Sequence, residues 1–201
     1  MNGLLFYWIA WLSWVWITWI MEKGDQRLKW AVIILLAIIV SNDSFYLFDV
    51  SIHACLSLFF AVGFIELYRF PLRKQIYLCF TSLFSALGYT ALSLFALYEP
   101  AWVIFSFDWI CALLLLFTCT LLCKTFSQRL VFLFFVVAGG EILYGMILYR
   151  LQLYNEIGSA GYLDRIALVF LGLVLLSAVH RTVKLIERIV SRYKEERRSV
   201  I

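Results

Sequence analysis

Proline is almost missing from this chain of 201 residues: Pro71 and Pro100 are the only two. Both fall between apolar runs, so the runs themselves carry no helix breaker. Histidine is as scarce, with His53 and His180 alone, which excludes a multi-histidine metal centre. The five cysteines, Cys55, Cys79, Cys111, Cys119 and Cys123, all lie inside apolar runs and form no CxxC pair. Cys119 and Cys123 share a helix face, but two thiols fall short of the four ligands of a structural zinc site. They read as small buried apolar side chains, without disulfide or metal, and Cys123 at a run's end is open to palmitoylation. The chain also lacks GxxxxGK[ST], HExxH and GxSxG motifs, internal repeats, low-complexity tracts and any long polar stretch. It therefore offers no signature of an enzyme or of a cofactor, and no room for a soluble domain.

What is present is apolar surface. Residues of hydrophobic type make up 64% of the chain, aromatics 18% and charged residues only 15%, and the mean hydropathy is +0.92. One water-soluble core of this size cannot hide so much, whereas lipid solvates it. Seven runs approach the roughly 20 residues that a spanning helix needs: Gly3 to Met21, Leu28 to Phe48, Asp49 to Tyr68, Gln75 to Tyr98, Ala101 to Cys123, Leu130 to Tyr149 and Ile166 to Leu185. The expected fold is all-α, a polytopic transmembrane bundle of about seven spans over residues 1–185, with a basic tail at 186–201. The second run is the weakest, because its apolar part stops at Val40 and Ser41-Asn42-Asp43-Ser44 follows. A six-helix count, with that run re-entrant, is the alternative.

Charge sets the expected orientation. Threading the runs in order places Lys23, Arg27, Lys29, Arg69, Arg73, Lys74, Lys124, Arg129 and seven tail residues on one side, leaving only Arg150 and Arg165 on the other. The positive-inside rule then puts the N-terminus outside and the C-terminus in the cytoplasm. The first run has no basic residue before it and no small-residue cleavage pattern at its end, and reads as a retained span. Its tryptophans, Trp8, Trp11, Trp14, Trp16 and Trp19, suit lipid-facing and interfacial surfaces better than a binding stripe. The connection from Arg150 to Arg165, with Gly158-Ser159-Ala160-Gly161, reads as a flexible link.

Ionisable groups at membrane depth cost roughly 2.5 to 3.5 kcal/mol on insertion scales, so each needs a partner or a wet cavity. Glu141 lies near the middle of the sixth run, beside Gly139 and Gly140 with Gly145 one turn on, where small residues admit a neighbouring helix. It is either a proton or cation relay carboxyl, or a neutral acid that hydrogen-bonds across a helix contact, with Arg150 or a cation as partner if ionised. Asp49 and His53, four apart, would share a face of the third helix, and Asp108 would lie about two turns into the fifth. Together they form a candidate proton or cation site at the outer side, against the plainer reading of a helix cap and snorkelling side chains. Glu66 with Arg69 at i+3 reads as an interfacial ion pair. The last run lacks a mid-depth lysine for a retinal Schiff base, and the third lacks the acidic-Arg-aromatic triplet of G-protein-coupled receptors.

The tail from Arg181 continues the seventh helix as an amphipathic segment. Val183, Ile186, Ile189, Val190 and Tyr193 form a stripe, and Lys184, Arg188, Arg192, Arg197 and Arg198 fill the remaining surface. Such a helix binds either an anionic inner leaflet, at about 1 kcal/mol per cation, or a membrane-protein partner or second copy. Topology already explains the charge, so nucleic acid is not a partner. The opening Met1-Asn2-Gly3-Leu4-Leu5-Phe6-Tyr7-Trp8, the exit Trp19-Ile20-Met21-Glu22-Lys23 and the overall length resemble the YphA-like small membrane proteins of spore-forming Gram-positive bacteria. The resemblance covers the whole chain, brings no catalytic residues, and implies a multi-pass protein of the bacterial plasma membrane. Two functions follow from the residues: a non-enzymatic accessory or scaffold protein, or a small transporter or proton-coupled permeation protein using Glu141, Asp108, His53 and Asp49. A water path to Glu141 would separate them.

Overall fold

Each of the seven apolar runs contains one helix, the form in which a backbone satisfies its own hydrogen bonds within one segment. The computed structural model describes residues 3–47, 50–99, 106–153, 156–158 and 160–198; for Leu47, Glu156, Ala160, Leu185 and 189–198 it describes the backbone alone. The helices are α1 (Leu4–Trp19), α2 (Asp25–Val40), α3 (Ala54–Leu67), α4 (Leu72–Tyr98), α5 (Phe107–Leu122), α6 (Phe126–Arg150) and α7 (Ala160–Arg198). Three stretches, Leu72–Tyr98, Phe126–Arg150 and Gly161–Arg188, are long and apolar enough to cross a membrane. Helices α1, α3 and α5 are apolar but shorter, at 16, 14 and 16 residues.

The departures from an all-helical chain lie at one end. After α2 stops at Val40, where the apolar part of its run ends, β1 (Ser44–Leu47) and β2 (Val50–His53) pair antiparallel, Ser44 opposite His53. A third strand, β3 (Glu156–Ile157), lies parallel to β2. The expected link between Arg150 and Arg165 is thus partly fixed: Ile157 is buried and packs on α6. A methyl group at Gly145 would stand 2.6 Å from Ile157 Cγ1, so only glycine admits this contact. The third helix is correspondingly shorter than its apolar run, because Val50–His53 is strand.

Tertiary bonds fix the order of the ends. At the sheet end, Asp164 of α7 accepts the backbone N–H groups of Gly3 and Phe6 at 3.0 and 2.9 Å, capping the start of α1. There too Tyr7 of α1 bonds Ser41 after α2 at 2.6 Å. At the other end, Lys29 of α2 bonds Glu66 of α3, and the Tyr77 hydroxyl of α4 donates to the Leu122 carbonyl closing α5 at 3.3 Å. Successive helices therefore run up and down. Lys29, Arg69, Arg73, Lys74, Lys124 and Arg129 belong to the helix ends and connections away from the sheet.

Helix α6 is the hub. Leu130, Val131, Phe132, Leu133, Val136, Val137 and Ala138 are buried in sequence, which requires neighbours on every side. Phe134 stacks on Phe59 of α3 at 5.2 Å between ring centroids, and Phe135 meets Phe60 and Phe64 edge-on. Against α4 the contact is built from small and hydroxylated side chains. A methyl group at Gly140 would stand 2.4 Å from Tyr89 Cδ1, and Thr90 Oγ1 donates to the Gly140 carbonyl at 3.1 Å.

A buried ionic cluster joining four helices

The close approach of α4 and α6 at Gly140 decides where Glu141 points. With no side chain at 140, the Tyr89 ring comes up against α6 and its hydroxyl reaches the next residue, donating to Glu141 Oε1. Glu141 is only 4% exposed. Its cation is Arg165 of α7, whose Nη1 donates to Glu141 Oε1 at 3.0 Å and also to the Tyr89 hydroxyl. The Nε of the same guanidinium donates to Asp108 Oδ1 at 3.0 Å, and its Cζ lies 5.0 Å from the Phe107 ring centroid. One guanidinium thus ties α4, α5, α6 and α7 together. Arginine suits the place because its planar, permanently charged fork serves several acceptors at once.

Of the expected site residues, Glu141 and Asp108 come together and His53 does not. Asp108 lies in the first turn of α5, not two turns in, which brings it level with Arg165. His53 ends β2 and precedes α3, so it has no helix face to share with Asp49, which lies outside the described residues. The imidazole instead meets Tyr162, Nδ1 to hydroxyl 3.4 Å, with the rings edge to face. The ionic partner of Glu141 is Arg165 rather than Arg150, which is exposed at the end of α6. Glu66 pairs with Arg69 at 3.4 Å and with Lys29 as well. Of the tail cations, Lys184 and Arg188 are exposed on α7, while the side chains of Arg192, Arg197 and Arg198 lie outside those described.

Arg165, Tyr89 and Asp164 escaped the sequence reading. A signal for Arg165 existed, since it is one of only two basic residues on the cation-poor side of the threading. A cation kept against the charge rule, at the head of an apolar run, is one held by carboxylates. Tyr89 had no such mark, being one of eleven tyrosines in an aromatic-rich chain.

Among the described residues the cluster is largely buried and well paired. The side chains of Arg165 and Asp108 are 12% and 14% exposed, and both Glu141 bonds are to protein groups. A groove of about 220 Å³ between α4 and α5 is lined by Ser85, Gly88, Tyr89, Leu92, Cys111 and Leu115 among others, and by none of the three charged residues. The arrangement can hold four helices in register, and among the described residues each Glu141 bond is to a neighbouring helix.

Comparison with known proteins bears on the whole chain. Residues 2–199 match the family model described as YphA-like integral membrane protein. The "Uncharacterized protein YphA" of Bacillus subtilis (strain 168) is 27% identical over 199 residues, covering 96% of this chain and 95% of that protein. No solved structure matches.

Proposed function

The chain belongs to the family of YphA-like integral membrane proteins, and we propose that it is a non-enzymatic accessory or scaffold protein of the bacterial plasma membrane. The observation that carries this reading is the burial and pairing of Glu141 within the ionic cluster. A relay carboxyl must exchange protons with water, and Glu141 is buried against Arg165 and Tyr89 with no lining position in the neighbouring groove. The competing role, a proton-coupled transporter, would need a water path to Glu141.

The proposed topology is seven spans over residues 1–185 with the N-terminus outside, the C-terminus cytoplasmic and a tail at 186–201. The alternating helix ends and the cations gathered away from the sheet support it. The tail cations, Lys184, Arg188, Arg192, Arg197 and Arg198, would meet the anionic inner leaflet.

Reconstitution separates the two roles. In proteoliposomes loaded with a pH-sensitive dye and given an imposed potential and pH gradient, the chain is expected to add no proton flux over protein-free vesicles. Flux that appears with the chain and disappears with Glu141→Gln would establish the transporter and end the scaffold reading.

A further inference from the structure

We propose that the groove between α4 and α5 is a lipid site, holding one acyl chain of an anionic phospholipid whose phosphate meets Lys74 and Lys124. The walls of the groove set the kind of occupant. Ser85, Gly88 and Leu92 of α4 and Cys111, Leu115 and Thr118 of α5 line it, and that lining is almost wholly apolar. The hydroxyl of Thr118 is satisfied within its own helix, donating to the Leu114 and Leu115 carbonyls at 3.0 Å. At about 220 Å³ the groove is smaller than the roughly 300 to 1,000 Å³ of pockets that enclose small molecules. It is also open on one side, where Gly88 and Leu114 are exposed. Between two apolar helices of an integral membrane protein that side faces hydrocarbon, so a lipid chain fills it rather than water or a polar solute.

One face of α4 leads from the groove to a pair of cations. Lys74, Tyr77, Thr81, Ser85, Gly88 and Leu92 succeed one another at spacings of three and four, the spacing of a single helix face. The Tyr77 hydroxyl, bonded to the Leu122 carbonyl, ties the start of α4 to the end of α5. Lys74 stands one turn before that bond on α4 and Lys124 two residues after it in the chain. Both are exposed, and among the described residues neither has a carboxylate partner, whereas Lys29 and Arg69 at the same end share Glu66. The first turn of α4 has no acidic residue either, although a helix start favours negative charge. Uncompensated cations at the head of an apolar groove select an anion with an apolar tail, and lysine's flexible stem lets its charge follow a headgroup.

Depth agrees with that occupant. Along α4, Ser85 lies eleven residues beyond Lys74, about 16 Å at 1.5 Å per residue. Along α5, Thr118 lies six residues before Lys124 and Cys111 thirteen, about 9 and 20 Å by the same rise. A bilayer measures roughly 40 to 45 Å with its headgroups, so the chains of one leaflet end about 20 Å below their phosphates. The groove thus occupies the depth of the lower half of a chain whose phosphate is held at the two lysines.

Only the meeting of the cation-rich end with one leaflet is taken from the proposed topology, so the flux experiment and the lipid site stand or fall separately. Delipidated chain in mild detergent is titrated with phosphatidylglycerol, with phosphatidylcholine of the same chains, and with glycerol 3-phosphate, and bound molecules are counted by native mass spectrometry. One phosphatidylglycerol per chain is expected to be retained, several-fold more tightly than phosphatidylcholine, and glycerol 3-phosphate is not. Lys74→Gln with Lys124→Gln should weaken retention about fivefold for each lysine lost, whereas Lys23→Gln with Arg27→Gln, the same loss of charge elsewhere at that end, should not. Gly88→Leu places a side chain in the groove at a position where an added carbon meets nothing within 4 Å. It should displace the lipid while leaving helix content and unfolding temperature of the lipid-free chain unchanged, and Thr118→Phe on the facing helix is the second groove-filling variant. Equal retention of the two lipids, equal loss in both cation pairs, retention of glycerol 3-phosphate alone, or unchanged binding in the folded groove-filling variants would each overturn the site.

Discussion

Arg165 of α7 is the residue that joins two carboxylates in the buried cluster, Glu141 of α6 and Asp108 of α5. Its guanidinium bonds Glu141, Asp108 and Tyr89, so replacing it leaves two carboxylates without their cation in a largely dehydrated place. Removing one partner of a buried ion pair costs about 3 to 5 kcal/mol. Arg165→Gln is expected to lower the unfolding temperature in detergent by more than any of Glu141→Gln, Asp108→Asn or Tyr89→Phe. The double variant Glu141→Gln with Arg165→Gln should lose less than the sum of the two singles, because the first change removes a charge that the second would strand. Additive losses would mean that the pair is not coupled. The adjacent Asp164 acts differently: fully buried, it receives two N–H groups at the start of α1. Asp164→Ala should cost about 1 to 2 kcal/mol, in the range of a lost helix cap, and speed hydrogen exchange at the Gly3 and Phe6 amides while leaving the α6 amides protected.

Between elements, the governing contact is α4 against α6. Thr90 reaches the Gly140 carbonyl, and Tyr89 occupies the space a side chain at 140 would need. Gly140→Ala is therefore expected to destabilise by about 1 to 3 kcal/mol, the usual cost of overpacking. It should also move Tyr89 off Glu141, seen as increased accessibility of a probe cysteine at Ser85 on the groove between α4 and α5. Gly88→Ala, where added bulk meets nothing within 4 Å, is the matched control and should change little. The sequence already placed Gly139 and Gly140 beside Glu141 as a site of close helix approach, since small residues mark such approaches in membranes. It did not say which helix approaches, because pairing between helices depends on shapes that one chain's periodicity does not encode. The strands were missed for a related reason. Val50-Ser51-Ile52-His53 runs into the apolar helix after it without a break, and pairing with Ser44–Leu47 and Ile157 makes it a strand. His53 was placed on a helix face by the same continuity of the apolar run.

At the scale of the whole molecule, the order of the ends and the distribution of charge are independent lines that meet. Hydrogen bonds put the starts of α1, α3, α5 and α7 at the sheet end and the starts of α2, α4 and α6 at the other. The basic residues at the second end outnumber its carboxylate pairs, since Glu66 alone takes Lys29 and Arg69 while Arg73 and Lys74 gather there too, a bias that the insertion rule accounts for. The proposed orientation can be read from two exposed positions that bear no core contact. Tyr46 on β1 is 80% exposed at the sheet end, and Lys74, in the first turn of α4, is exposed at the other. In intact cells, Tyr46→Cys is expected to react with a membrane-impermeant maleimide, whereas Lys74→Cys should react only after permeabilisation. Cys79, the exposed native thiol, sits within α4 and sets the background that the unsubstituted chain must report. Reaction of both new cysteines from the same side would break the alternation of the helix ends and with it the seven-span topology. Labelling of Lys74→Cys alone in intact cells would keep the spans and invert the molecule, which would put the cation-rich end and the α7 extension outside the cell.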